Sequence, residues 1–154
     1  MSLESVRQFF AERAPEIDII EMPYSTATVE MAARVHGVVP GQIAKTLSLK
    51  VKNEVILVVT CGDARLDNRK LKAVMGAKAR MLSVDEVINW TGHPVGGVCP
   101  FGLENPVTVY CDISLKSFDE VLPAAGSVHS AVRISPQQMA ELTAAKWVDV
   151  CETR

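Results

Sequence analysis

The chain has no apolar run long enough to cross a membrane as a helix. Its longest, Val55-Ile56-Leu57-Val58-Val59, is five residues, against the roughly 20 that a span requires. The opening residues carry acidic Glu4 and a helical apolar pattern. A secretory leader would show a basic segment and then a continuous apolar one, so a cytoplasmic protein with no membrane partner is expected. The four cysteines (Cys61, Cys99, Cys111, Cys151) contain no C-x-x-C, and the three histidines (His36, His93, His129) have no ligand-pair spacing. A zinc framework is therefore not expected, free thiols are, and neither a metal nor a cofactor is called for. Aromatics are scarce, at 8 of 154 residues, and 16 basic residues against 18 acidic give a net charge of −2. That balance argues against a broad basic surface with stacking platforms for nucleic acid.

What remains is an ordinary globular composition, 48% apolar and 22% charged, in a length that suits one domain over residues 1–154. A helix is expected over residues 2–13, with Ser2 as its cap and Leu3, Val6, Phe9 and Phe10 as its stripe. A short strand follows at 17–22. Thr26 or Thr28 caps a second helix carrying Val29, Ala32, Ala33 and His36 on one face, stopped by Gly37. Residues 43–51 and 55–61 read as a β-hairpin. Asp67 caps a helix through Met75, 79–82 is a short strand, and Ser83-Val84-Asp85-Glu86 is a capping box opening another helix. Residues 92–105, with four glycines and two prolines, form the longest irregular stretch. Strands are expected at 106–112, 120–122, 127–134 and 147–150, with a helix started by Ser135-Pro136-Gln137-Gln138. Strands do not alternate strictly with helices. The expected class is α+β: a mixed, largely antiparallel, curved and barrel-like sheet flanked by helices.

Three segments have the residue types for chemistry. Ala44-Lys45-Thr46-Leu47 puts a lysine at the start of an apolar strand. Gly96-Gly97-Val98-Cys99-Pro100 is a glycine-rich loop. Gly126-Ser127-Val128-His129 is a small-residue turn leading into a strand. In this order, over residues 24–150, they resemble the YbaK/EbsC family, free-standing relatives of the editing domain inserted in bacterial prolyl-tRNA synthetases. The resemblance implies an aminoacyl-tRNA deacylase that acts on the acceptor end of tRNA, with prolyl-tRNA synthetase as a further partner. It also implies that a ribose hydroxyl of the terminal adenosine helps activate the attacking water. The Gly126-to-His129 turn is similar to that of the alanine-type branch, so alanine or another small residue on tRNA(Pro) is the expected cargo. Cys-tRNA(Pro) is the alternative within the family.

The chemistry agrees with this. An aminoacyl ester is already activated, so position and charge stabilisation suffice. Glycine lets backbone N–H groups approach a ligand closely, so Gly96 and Gly97 are expected to face a developing oxyanion. Lys45 supplies positive charge, and His129 positions the substrate amino group or a water. Tyr24, Thr46, Val98, Cys99, Pro100, Gly126 and Ser127 are the expected substrate-binding residues. Plainer readings stand beside these: Lys45 as a solvated strand lysine, the loop as a simple connection, His36 as a satisfied core histidine, and His93 without an assignable role. Cys99 supports a rival, a thiol nucleophile, although no sequence feature supplies its partner histidine. A second rival is a module that binds the acceptor end or a nucleotide without cleavage; the loop lacks both phosphate-loop and dinucleotide fingerprints.

The net charge hides an asymmetry. Between Lys45 and Arg80 lie nine basic residues against three acidic ones, +6 locally and −8 elsewhere. Arg65, Arg69, Lys70, Lys72, Lys78 and Arg80 are the tRNA-contact candidates. A small local patch suits a protein that touches only an acceptor end.

Overall fold

The run of β-branched residues on either side of Lys52-Asn53 forms the centre of the molecule. The computed structural model describes residues 2–153; Met1 and Arg154, counted in the expected domain, lie outside them. Strands β2 (Ile43–Val51) and β3 (Glu54–Cys61) pair antiparallel from Ala44 opposite Cys61 to Val51 opposite Glu54. Both faces of β3 are buried, which explains its continuous rather than alternating hydrophobicity. Leu57, Val59 and Cys61 face a core containing Phe10, Phe101, Leu115 and Met139. Ile56 and Val58 face the opposite way, into a smaller cluster with Leu49, Leu71 and Val150.

The sheet extends outward from this hairpin. Strand β4 (Ala79–Met81) pairs antiparallel with β2, and β6 (Leu122–Pro123) pairs parallel with the start of β2. Strand β5 (Thr108–Asp112) lies parallel on β3, and β8 (Lys146–Val148) parallel on β5. A separate ribbon joins β1 (Ile19–Glu21) to β7 (Ser130–Val132). The helices are α1 (Ser2–Arg13), α2 (Val29–His36), α3 (Asn68–Met75), α4 (Val84–Thr91) and α5 (Pro136–Thr143).

The α+β class and the mixed sheet hold, but the barrel does not. The sheet order β4-β2-β3-β5-β8 ends on two separate edges, and no ladder joins β4 to β8. Nor do antiparallel ladders dominate this sheet, since three of its five ladders are parallel. The reason is the crossover. After β3 the chain runs through α3, β4 and α4 before β5, and a long connection of this kind delivers a parallel strand. The expected strand at 127–134 shrinks to Ser130–Val132, because Gly126 at φ 91° turns the chain. Thr28, not Thr26, caps α2. Ser2 lies inside α1, and its hydroxyl bonds elsewhere.

The first turn of α1 fixes the geometry of the distant loops. A Cβ on Gly102 (φ 59°) would lie 2.6 Å from the Ser5 carbonyl oxygen, and one on Gly126 would lie 2.8 Å from that of Ser2. Both glycines allow helix backbone and loop backbone to touch. Gly102→Ala is expected to cost about 2–4 kcal/mol, from strain at positive φ plus overpacking. Urea unfolding checks this; an unchanged midpoint would show that α1 does not depend on that contact.

Candidate functional site

A cleft of about 330 Å³ opens beside the first half of β2. Alternate residues of a strand share a face, so Ala44, Thr46 and Ser48 form one surface of it. The helical period gives α2 its contribution: Val29, Ala32 and His36 stand at i, i+3 and i+7 and line the same space. Met81 and Leu82, with Val84 and Val87 of α4, make another wall, and Val95, Gly96 and Val98 come from the glycine-rich loop. Ala124, Ser130 and Ala131 complete it. The lining is dominated by small apolar side chains with a few hydroxyls.

The two glycine motifs, far apart in sequence, form one packed unit. A Cβ on Gly97 would fall 2.8 Å from the backbone of Ser127, and one on Gly96 2.9 Å from Ala27 Cβ. The Gly126 N–H donates to the Gly97 carbonyl at 3.0 Å, and the Thr26 N–H to the Val128 carbonyl at 2.6 Å. Within the loop the Gly97 N–H is spent on the Pro94 carbonyl at 2.9 Å. It is therefore not a donor to a ligand. The N–H groups of Gly96 and Val98 have no hydrogen bond among the described residues, and both residues line the cleft.

The other expected site residues divide. Lys45 lines the cleft, and its Nζ donates to the Ala64 carbonyl at 2.6 Å. Thr46 and Val98 line it too. Cys99 and Pro100 are buried behind the loop, outside the lining. Gly126 and Ser127 shape the turn: Ser127 Oγ accepts from the His129 N–H at 3.2 Å and meets Ser130 Oγ at 2.7 Å. His129 is exposed, with Nδ1 3.2 Å from the Tyr24 carbonyl, and neither His129 nor the 68%-exposed Tyr24 is in the lining. Of the cations, Lys70 bonds Asp149 and the Cys151 carbonyl, and Arg80 forks onto both carboxylate oxygens of Glu86. Arg65, Arg69, Lys72 and Lys78 are exposed.

Cys99 does have a histidine beside it. His93 Nε2 lies 3.5 Å from its sulfur, yet both residues are wholly buried. Burial pushes the Cys99 thiol up to about 12 and pulls the His93 imidazole down. His93 Nε2 also lies 2.7 Å from the Phe101 carbonyl, which only accepts, so that nitrogen carries the proton. Nδ1 is then an acceptor, and the single Ser2 hydroxyl proton is shared between it and the Gly126 carbonyl. The pair is a strut linking α1 to both loops and holds no thiolate.

Two cleft atoms stand out, one on the expected Thr46 and one on His36, which was not expected to face a site. His36 Nε2 and Thr46 Oγ1 are the buried side-chain polar atoms without a hydrogen-bond partner among the described residues, and both residues line the cleft. Burial and then the nearby Arg133 charge lower the His36 pKa, so its imidazole is neutral at pH 7. His36 was therefore not a satisfied core residue. Its place on the α2 face with Val29 and Ala32 was the available signal.

Residues 24–142 match the family described as an aminoacyl-tRNA editing domain. The chain belongs to that family. This editing domain is 49% identical to the uncharacterized protein YwhH of Bacillus subtilis, over 99% of this chain and 98% of that one. It is 34% identical over 100 residues to a proline--tRNA ligase of Nitratidesulfovibrio vulgaris, covering 64% of this chain and 17% of the ligase. A crystal structure described as a candidate trans-editing enzyme for prolyl tRNA synthetase superposes with TM-score 0.91 at 31% identity, over 99% of this chain and 98% of that one. No helix of the described residues is long and apolar enough to cross a membrane.

All four cysteines are buried. The native protein is expected to release almost no chromophore from a disulfide thiol reagent at pH 8, and four equivalents once unfolded. Fast reaction of one native thiol would contradict the structural reading of Cys99.

Proposed function

We propose that this editing domain is a free-standing deacylase that hydrolyses the ester of mischarged tRNA, with alanine or another small residue on tRNA(Pro) as its cargo. The observation that carries this reading is the pairing of two unengaged loop N–H groups, on Gly96 and Val98, with a cleft walled by small side chains. The likeness to a candidate trans-editing enzyme for prolyl tRNA synthetase supports the tRNA(Pro) assignment.

In this mechanism the substrate carbonyl oxygen turns toward the loop as it gains charge, and Gly96 and Val98 donate to it. Such donors act without reorganising, and loss of one costs about 100- to 1000-fold in rate. Lys45, held at the cleft by the Ala64 carbonyl, contributes positive charge near the ester and the terminal phosphate. No protein nucleophile is required, and the resemblance assigns help in activating the water to a ribose hydroxyl of the substrate. Small side chains such as Ala32, Ala44 and Ala131 limit the cargo by volume. A single methylene is worth only about 1–3 kcal/mol of discrimination, so alanine, serine and cysteine must be compared directly.

The test is release of labelled amino acid from Ala-, Ser- and Cys-tRNA(Pro) under catalytic protein. Turnover is expected, fastest with alanine. Lys45→Ala is expected to lose about 100-fold or more, as for removal of one transition-state charge partner, and Cys99→Ser to stay near wild type. Release no faster than buffer for every substrate, with tRNA still bound, would leave a binding module. Loss in Cys99→Ser matching that in Lys45→Ala would point to thiol chemistry.

A further inference from the structure

The basic residues between Lys45 and Arg80 do not form one uniform patch. Lys70 and Arg80 are held by carboxylates, and Lys45 by a carbonyl. Arg69, Lys72 and Lys78 are different. Their side chains make no hydrogen bond or ion pair among the described residues. With Asn68, Leu71 and Ala79 they line a second concavity of about 350 Å³. The local sequence explains the grouping. Arg69 and Lys72 stand three apart on α3 and so share a face. Gly76, left-handed at φ 77°, ends the helix, and the returning chain brings Lys78 to the same hollow. Three like charges around one hollow repel each other, and no acidic residue lines it; the nearby Asp67 carboxylate is engaged by the helix N–H groups of Arg69 and Lys70. An anion would relieve that repulsion.

The position of the hollow identifies the anion. Strand β4 joins it to the cleft: Ala79 lines the hollow and Met81 lines the cleft. Two residues along a strand span about 7 Å at ~3.3 Å each. That is the same order as two base steps of a nucleic-acid strand at ~3.4 Å each. The geometry points to the Arg69–Lys72–Lys78 hollow as a phosphate site for the RNA strand whose 3′ end occupies the cleft. It reads backbone charge and not sequence, since contacts of this kind set register and orientation. This inference rests on the deacylase reading for the placement of the 3′ end.

The test compares wild type with the triple variant Arg69→Ala/Lys72→Ala/Lys78→Ala. All three side chains are exposed, so folding should survive, and an unchanged melting temperature checks it. A charge-matched control, Arg13→Ala/Arg34→Ala/Lys146→Ala, separates the site from net charge. Each protein is assayed with Ala-tRNA(Pro) and with alanyl-adenosine between 50 and 200 mM salt, and for binding of uncharged tRNA(Pro). The triple variant is expected to lose about 10-fold or more in kcat/KM on the tRNA at low salt. Its log–log salt slope should be shallower by about 2–3, from the loss of three phosphate contacts, and alanyl-adenosine hydrolysis should be unchanged. An unchanged tRNA rate and slope, an equal loss on alanyl-adenosine, or an equal loss in the control would each overturn the site. If wild type hydrolyses neither substrate, the deacylase reading fails by itself. Weaker, less salt-sensitive binding of uncharged tRNA by the triple variant then still supports the site, and equal binding overturns it.

Discussion

Gly97 lies against the backbone of Ser127, and Gly126 and Gly102 lie against the first turn of α1, each too close for a Cβ. These backbone contacts join three parts of the chain that are far apart in sequence: the N-terminal helix, the loop after α4 and the turn before β7. The buried His93 extends the join, with one ring nitrogen toward Ser2 and the other toward the Phe101 carbonyl. The cleft depends on this arrangement. The hairpin supplies a rigid floor, but the loop bearing Gly96 and Val98 has no regular structure of its own. It is held in place by what it packs against.

This explains how a site with few titratable groups can have a chemical role. A cysteine and a histidine sit side by side and look like a dyad, yet burial keeps the thiol protonated and out of the cleft. The exposed His129 is spent on the Tyr24 carbonyl. The residues that line the cleft bring unengaged backbone N–H groups, hydroxyls, a neutral imidazole and one lysine. Such a set suits an activated ester, whose barrier responds to fixed dipoles more than to a strong nucleophile. The orphaned His36 Nε2 and Thr46 Oγ1 belong to the same logic. A buried polar atom without a partner costs about 1–3 kcal/mol, a cost that a bound polar group would remove.

Local signals in the sequence were reliable where local physics decides. The Ser83 capping box, the Asp67 and Ser135 caps and the left-handed Gly37 that stops α2 are all present. The β2–β3 hairpin was legible because both strands are long and β-branched. The barrel was not excluded by sequence, because strand order depends on where the chain returns after a crossover, and periodicity carries no information about that. The site was legible as motifs and not as contacts. Gly96 and the Ala44-to-Thr46 segment line the cleft as expected. Tyr24, Cys99 and His129 do not: all three lie in irregular backbone, where no period tells a side chain's direction, and Tyr24 and His129 end exposed while Cys99 ends buried. His36 was passed over because a histidine on an apolar helical face looks the same whether that face meets a core or a cleft.

The central claim is that the cleft bounded by Gly96, Thr46 and His36 holds the aminoacyl end of the substrate. The most direct test is a two-dimensional NMR titration with a non-hydrolysable amide analogue of 3′-alanyl-adenosine. The account predicts that the largest shifts fall on the Gly96 and Val98 amides, with Thr46, Ser130 and the His36 ring also moving. Saturable shifts confined to residues outside the cleft, with Gly96 and Val98 unmoved, would contradict it.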